Sequence, residues 1–264
     1  MNIKEWINNK EQHGQMTFSL DEVEHVFASM STKGIKTEIA RMVLRGRIQS
    51  VYRGFYVIVP VHYKLKGIVP PTFYIDELMR YIGKPYYVGL LSAAAFHGAG
   101  HQRAMRTQII TTPPRLNVSD RNKLIDWNYR KTIPQTFVIT RNAEMGVINY
   151  SSPELTAVDI VQYADHIGGF QRAATVLAEL VSVLNIREMV ALLPYTNLPT
   201  IQRMGYIMEV VLGEQEKADD LFAILKGKQH WNTVLLNPHI NKRNDTLSNR
   251  WHINVNTEIE IDEL

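Results

Sequence analysis

Residues 31–60 read STKGIKTEIARMVLRGRIQSVYRGFYVIVP, and this stretch decides the fold of the first part of the chain. Its first half places apolar side chains at helical spacing and ends at Gly46, a residue typical of a helix C-terminus. Its second half, residues 48–59, alternates in polarity and turns at Arg53-Gly54, which predicts a β-hairpin. A helix followed directly by a hairpin forms the second half of a winged helix-turn-helix domain.

Two amphipathic segments before this stretch complete a head of three helices. Residues 2–12 predict the first helix. Residues 17–28 predict the second, with Ser19 as its N-cap and a glutamate three residues later, the pattern of a capping box. With a third helix at residues 35–45, the sequence predicts a winged helix-turn-helix domain over residues 1–62.

Positive charge is concentrated on this predicted head. Residues 31–66 contain eight Lys or Arg and a single acid, Glu38, so their formal charge is +7 in a chain whose total is +3. A surface of this charge fits the phosphate backbone of DNA, which makes DNA binding our main hypothesis. We expect base contacts from Lys36, Thr37 and Arg41, and phosphate contacts from Lys33, Arg45, Arg47 and Arg53, with Tyr52 beside the tip of the hairpin.

A linker at residues 63–72 is predicted to separate the head from a larger domain. It contains the pair Pro70-Pro71, which does not fit inside a helix or a central strand. Residues 73–264 combine helical patterns with short strands and predict a mixed α+β domain. The predicted elements are helices at 73–82, 87–96, 153–166, 170–184, 186–193, 200–212 and 217–225, and strands at 107–112, 124–129, 135–140, 146–150, 233–236 and 252–261.

The larger domain begins with a second basic block. Residues 80–131 carry nine basic side chains against two acids, a formal charge of +7. A solvated surface is one interpretation of this block, and an extension of the DNA contact is the other. Candidates for the second contact are Arg103, Arg106, Arg115, Arg121 and Lys123, followed by Arg130 and Lys131.

Composition and motifs exclude several classes of protein. The chain has no cysteine, so it has no disulfide, thiolate metal site or cysteine nucleophile. The N-terminus is polar, and no apolar run approaches the length of a membrane span, so we expect a cytoplasmic protein without a membrane partner. We find no phosphate-binding loop, dinucleotide fingerprint or nucleophile elbow, and therefore expect neither a cofactor nor an enzyme.

Two clusters contain residue types that can bind a metal. His97 and His101 have the spacing of two zinc ligands on a helix, but Gly98 stands where a zinc peptidase carries glutamate. A nuclease site would pair an acid and a lysine on one strand, which is not found near the acids of residues 153–166. We interpret those acids as helix-surface residues; they are Glu154, Asp159 and Asp165. The C-terminal tail also carries acids, which form either a solvated sheet face or an acidic surface that competes for a basic partner; they are Glu258, Glu260, Asp262 and Glu263. The sequence therefore predicts no catalytic residue and no metal.

Four segments resemble one known family. YRGFYVIVP at 52–60, PPTFYIDELMRYIGKPYYVGLLSAAAFHGAGHQ at 70–102, SPELTAVDIVQY at 152–163 and RWHINVNTEIEIDEL at 250–264 are similar to the AbiEi family of bacterial antitoxins. The resemblance implies a toxin–antitoxin operon of the abortive-infection type, a phage defence. It implies a winged helix that binds inverted repeats in double-stranded operator DNA and represses its own promoter. It also implies that the larger domain counters a nucleotidyltransferase-type toxin without a stable complex, as in type IV systems.

Two other functions stay open at the level of sequence. One is a one-component transcriptional regulator whose larger domain binds a small ligand, which requires an apolar pocket with a few polar groups. The other is an enzyme that processes nucleic acid and uses the winged helix as a targeting module.

Overall fold

The structure is a computed structural model that describes residues 1–64, 68–101, 104–116, 124–225, 231–241 and 249–261. The protein is mixed α+β, which confirms the predicted fold class. It divides into two compact units. The first unit comprises Met1–Tyr87, Met105–Lys131 and Thr140–Asn149, and the second comprises Val88–Ala104, Thr132–Ile139 and Tyr150–Leu264.

The first unit begins with three helices and a hairpin in the order of a winged helix-turn-helix. The three short strands form one antiparallel sheet in the order β1-β3-β2, and the hairpin turns at Arg53-Gly54 as the sequence predicts. The elements are α1 (Ile3–Gln12), β1 (Thr17–Ser19), α2 (Leu20–Val26), α3 (Thr32–Leu44), β2 (Ile48–Tyr52) and β3 (Phe55–Ile58).

Side-chain caps fix where these helices begin. The Ser19 hydroxyl accepts a hydrogen bond from the backbone N–H of Glu22 at 3.1 Å, which confirms the predicted N-cap of α2. Asn2 and Glu5 form a complete capping box at α1. The predicted helix over 17–28 begins too early, because residues 17–19 form β1 instead. That strand pairs with β3, a partner distant in sequence that local propensity does not reveal.

Aromatic side chains hold the centre of the head. Trp6 lies between Phe18 and Phe27, with ring centroids 5.5 Å and 6.2 Å apart and both pairs edge to face. All three side chains are buried, together with Ile35 and Ile39 of α3. Because α3 contributes only one apolar stripe to this core, its opposite side is exposed.

The first unit also contains a helix that follows the head in sequence and most of a five-stranded sheet. The sheet order is β6-β5-β4-β8-β7, with β5 parallel to β6 and β4 parallel to β8. The predicted helix over 87–96 is wrong at its start, since the strand β4 lies there. The elements are α4 (Ile75–Ile82), β4 (Tyr86–Val88), β5 (Thr107–Thr111), β6 (Ile125–Tyr129), β7 (Val138–Asn142) and β8 (Val147–Ser151), with 3₁₀ turns at Val61–Tyr63 and Pro71–Phe73.

The compact units do not follow the predicted linker. Helix α4 lies beyond residues 63–72, yet it groups with the head in the first unit. Its Glu77 carboxylate accepts a hydrogen bond from the Thr17 hydroxyl of β1. Compactness does not test whether residues 1–62 fold alone, so that domain boundary stays a prediction.

The second unit is mainly helical and is built around α6 (Pro153–Gln162). Eight of the ten residues of α6 are buried, and the helix packs against α5, α8 and α9. The predicted strand over 252–261 is wrong in extent, because only two of its residues pair with β9. The other elements are α5 (Leu90–Ala94), α7 (Ala164–Ile167), α8 (Phe170–Leu180), α9 (Leu198–Tyr206), α10 (Gln215–Leu225), β9 (Val234–Leu235) and β10 (Ile253–Asn254), with 3₁₀ turns at Ala95–His97, Gln135–Phe137, Val181–Val183 and Ile186–Tyr195 and a π-helical turn at Ile207–Val211.

Trp251 anchors the C-terminal part of the chain in this second unit. Its side chain is 0% exposed, and its indole N–H donates to the Glu209 carboxylate at 2.5 Å. The Gln202 amide donates to the Trp251 carbonyl at 2.8 Å. The indole ring lies directly against Gly205 of α9, so close that no side chain fits between them.

Candidate nucleic-acid interface

Helix α3 has one buried face and one cationic face. Ile35, Ile39 and Met42 are at most 5% exposed and pack into the head. The Ser31 hydroxyl caps the helix by accepting from the backbone N–H of Gly34 at 3.2 Å. The exposed residues of the opposite face are Lys33, Lys36, Thr37, Ala40, Arg41, Leu44 and Arg45.

Most of the predicted DNA-binding cations are unpaired. In the part of the chain that the structure describes, the side chains of Lys33, Lys36, Arg45 and Arg53 form no ion pair or hydrogen bond. Arg41 pairs only with Glu38 of its own helix, at 3.3 Å, and its side chain stays 63% exposed. An exposed pair of this kind contributes about 0.5 kcal/mol, so a phosphate can displace it.

Arg47 does not belong to this cationic face. Its guanidinium donates to the Asn8 side chain at 2.9 Å and to the Glu11 carboxylate, and the side chain is only 22% exposed. Arg47 therefore joins the end of α3 to α1, and we correct its predicted role as a phosphate contact. The sequence shows a basic residue at this position but not the acid of α1 that pairs with it.

The tip of the wing is supported by Tyr81, a residue that the sequence pattern does not indicate. Tyr81 of α4 packs against Phe55, with ring centroids 5.2 Å apart, and meets Tyr52 edge to face at 6.5 Å. Its hydroxyl donates to the carbonyl of Arg53 at 3.4 Å. Tyr52 is consequently half-buried, while Arg53 is exposed at the turn.

Tyr81 is neutral, as its hydrogen bond to the Arg53 carbonyl requires. Burial raises the pKa of the Tyr81 phenol, and the negative charge of Asp21 and the neighbouring Tyr52 raise that pKa further, whereas Arg53 lowers it. The phenol therefore keeps its proton at neutral pH and remains a hydrogen-bond donor to the wing.

A cleft of about 680 Å³ lies beside the cationic face of α3. Lys4 from the first turn of α1 lines it together with Lys33 and Arg41 of α3, and the side chains of Ile3 and Met30 also line it. The cleft places a further basic side chain, Lys4, beside two of the predicted contacts. Lys4 was not predicted, because it lies outside the basic block at 31–66.

The second basic block is only partly available. Arg106 and Lys131 are exposed, and the Arg115 guanidinium lies 5.8 Å from the ring centroid of Tyr129. Arg130 is buried and donates to the Tyr87 hydroxyl at 2.7 Å, so it is not a surface contact. The candidates Arg103, Arg121 and Lys123 lie outside the described residues.

The two compact units have opposite formal charge. The residues of the first unit include 19 Lys or Arg against 11 Asp or Glu, a charge of +8. Those of the second include 10 against 15, a charge of −5. The unit that carries the head is therefore the one suited to a polyanion.

The histidine pair considered for zinc binds protein groups. A ring nitrogen of His97 lies 2.7 Å from the Ser151 carbonyl, and one of His101 lies 2.9 Å from the Glu179 carboxylate. The two rings thus have separate protein partners. Within the ranges that the structure describes, no three metal-binding side chains come together.

Two of the three acids near α6 are buried in the protein. Glu154 is buried and accepts hydrogen bonds from the Ser152 hydroxyl at 2.8 Å and the Asn185 backbone N–H at 3.0 Å. Asp159 is also buried, so the interpretation as helix-surface acids is wrong for both. Asp165 is exposed and lies 2.6 Å from His239.

Two residues of the acidic tail can be placed. Glu258 and Glu260 are exposed and lie outside any strand, so the predicted sheet face is wrong for them. Asp262 and Glu263 lie outside the described residues. Across the residues with assigned structure, none of the helices is both long enough and apolar enough to cross a membrane.

The protein is thus a two-unit α+β protein whose first unit begins with three helices and a hairpin and carries a cationic face on α3. Residues 87–210 match the family model of the AbiEi antitoxin C-terminal domain. This match covers 124 of the 264 residues and supports an AbiEi-type antitoxin role for this part of the chain. Members of this family are generally not enzymes.

One solved structure extends the likeness over nearly the whole chain. The crystal structure of the RV2827C protein from Mycobacterium tuberculosis superposes with a TM-score of 0.67 and 13% sequence identity, and covers 94% of this chain and 88% of that one. At this identity the likeness shows a shared fold. No curated protein sequence matches the chain.

Proposed function

We propose that this protein is an AbiEi-type antitoxin and a cytoplasmic, DNA-binding autorepressor. Its winged-helix head binds inverted repeats in the operator of its own toxin–antitoxin operon. The AbiEi domain counters a nucleotidyltransferase-type toxin without a stable complex and without catalysis. The observation that carries the DNA-binding part is the set of unpaired, exposed cations on one face of α3 and on the wing.

The arrangement of the head suggests how it would meet DNA. Helix α3 is the recognition helix and enters the major groove, because its outward face is free of core contacts. Arg53 at the wing tip contacts the flanking backbone, and Lys4 and Lys33 contact phosphates at the opposite end of the interface. Because a single head of this size makes few contacts, two copies on an inverted repeat provide the affinity and the specificity.

The second basic block supplies weaker support. Of its candidates, the described residues Arg106 and Arg115 are exposed in the same compact unit as the head. We propose them as additional backbone contacts. Each neutralised phosphate adds about 0.9 to the magnitude of the slope of log K against log salt concentration. Replacing both arginines with serine should therefore reduce that slope by up to about 1.8. An unchanged slope would remove this block from the interface.

A pair of matched double variants tests the main proposal. Arg41→Ser/Arg45→Ser removes two charges from the proposed interface, and Arg141→Ser/Arg187→Ser removes two exposed charges elsewhere. We expect the first variant to lose the mobility shift of the operator duplex at physiological salt and the second to retain it. Retained binding by the first variant, or equal loss by both, would show that α3 is not the recognition helix.

The same variants separate repression from antitoxicity in cells. The full-length Arg41→Ser/Arg45→Ser protein should no longer repress a promoter fusion but should still rescue growth when the neighbouring toxin gene is expressed. Point variants are preferred to deletion of the head, because α4 and the sheet belong to the same compact unit. Loss of rescue in the folded variant would mean that antitoxicity itself requires DNA binding.

A further inference from the structure

We infer that the recognition helix reads thymine through a row of methyl-bearing side chains formed by Thr37, Ala40 and Leu44. This inference rests on the proposed DNA binding and deepens it, since it names the base that the helix recognises. Cations provide the attraction of such a helix to any DNA, whereas these three side chains would provide a preference for particular sequences.

The three residues form one line along α3. At 3.6 residues per turn, positions 37, 40 and 44 fall within an arc of roughly 60°. The line is about 10 Å long, since seven residues rise about 1.5 Å each, and this matches about three base-pair steps. Lys36 and Arg41 flank the line and would hold it close to the polyanion.

Leu44 is exposed to a degree that the fold does not require. Its side chain is 87% exposed, whereas Ile35, Ile39 and Met42 on the core side of α3 are at most 5% exposed. Leu44 therefore adds nothing to the core, although it lies on a face that is otherwise basic or small. An apolar side chain among exposed cations is suited to a partner that combines negative charge with an apolar group.

The Thr37 hydroxyl donates its hydrogen within the helix. The hydroxyl donates to the Lys33 carbonyl one turn earlier, at 2.8 Å. This bond within the helix occupies the hydroxyl hydrogen, so the side chain has no donor left for a base edge. The hydroxyl oxygen can still accept a hydrogen bond, and the methyl group of Thr37 is available for apolar contact with a base.

The major groove contains one apolar group that fits this row. Thymine presents a C5 methyl group there, and small or apolar side chains contact it in known complexes. The neighbouring phosphates complement Lys36 and Arg41, which flank the row. Burying one methyl group favours binding about fourfold, so up to three contacts would give a preference on the order of 60-fold for thymine.

Uracil substitution tests this directly with the full-length protein. The duplex upstream of the gene is prepared twice, once with thymine and once with uracil, which lacks only the methyl group. We expect the wild-type protein to bind the uracil duplex at least about fourfold more weakly at the same salt concentration. Uracil also alters the duplex itself slightly, and this effect is the same for every variant. The ratio of the dissociation constants for the uracil and thymine duplexes is therefore compared between variants.

Leu44→Ser and Arg41→Ser distinguish the methyl contact from general affinity. Leu44→Ser should reduce the thymine-to-uracil preference about fourfold, and circular dichroism should show an intact fold because the residue is exposed. Arg41→Ser should weaken binding to both duplexes and leave the ratio unchanged. Equal wild-type binding to both duplexes, or an unchanged ratio in Leu44→Ser, would overturn the inference while DNA binding stands. Failure to bind either duplex would instead overturn the proposed function.

Discussion

Replacing Gly205 with alanine tests the anchoring of Trp251 in the second unit. A Cβ atom at this position would lie 2.1 Å from Cζ3 and 2.2 Å from Cη2 of the indole ring. Ordinary contacts between carbon atoms are about 3.5–4.0 Å, so the ring or α9 must move by more than about 1 Å. The ring is held by hydrogen bonds at its N–H and at its own backbone carbonyl, so neither side moves freely.

The expected cost follows from two opposing effects. Overpacking a buried contact costs up to about 3 kcal/mol, and the geometry here falls at the upper end of that range. Alanine is about 1 kcal/mol better than glycine inside a helix, which offsets part of the cost. We therefore expect Gly205→Ala to lower the free energy of unfolding by about 2 kcal/mol, which corresponds to about 4–8 °C in Tm for a unit of this size.

Gly100 provides the matched control for this substitution. A Cβ atom at Gly100 would meet nothing within 4 Å, so Gly100→Ala should change stability by less than about 0.5 kcal/mol. Urea unfolding followed by tryptophan fluorescence compares the two variants. In a Trp251→Leu background the Gly205→Ala cost should disappear, because the ring that causes the clash is gone. Equal behaviour of the two alanine variants would refute the packing argument.

Three further predictions concern the wing, a helix cap and an ion pair. Gly54→Ala places a Cβ at a φ of 72° and 2.9 Å from the Tyr81 hydroxyl, so thermal denaturation should show a loss of about 1 kcal/mol together with weaker operator binding. Ser152→Ala removes the N-cap of α6, whose hydroxyl accepts from the Leu155 N–H, and should cost about 1 kcal/mol in urea unfolding. Hydrogen bonds from Arg250 and Gln215 lower the pKa of Asp219, although burial opposes them, so its stabilising effect is present at neutral pH and is lost as the pH falls below 3.8. Asp219→Asn should therefore flatten the acid side of the stability profile, and a profile as steep as that of the wild type would contradict the assignment.

Local signals in the sequence predicted the parts of the head that depend on near neighbours. The N-cap at Ser19, the helix stop at Gly46 and the turn at Arg53-Gly54 each involve residues only a few positions apart. The exposed cations of α3 also followed from helical spacing, because the apolar stripe of Ile35 and Ile39 determines which side faces outward.

Contacts between distant residues account for what the sequence did not reveal. The strand at 17–19 exists because it pairs with β3, almost forty residues later. Arg47 leaves the interface because Glu11 on another helix neutralises it. Tyr81 lies beyond a proline-rich segment that suggests a domain boundary, although its ring packs on the wing. Such pairings depend on the folded topology, which periodicity and composition do not encode.

The contact between Tyr81 and the wing limits how the proposed operator specificity can be exchanged between relatives. A chimaera joined after residue 62 would combine the wing of one protein with α4 of another. The aromatic packing between Phe55 and Tyr81 would then involve residues from two different proteins. Joining the chains after Ile82 keeps Phe55, Arg53 and Tyr81 from the same parent. Grafts of a new recognition helix should therefore be designed as a cassette that includes α4, and natural recombination is expected to favour the same junction.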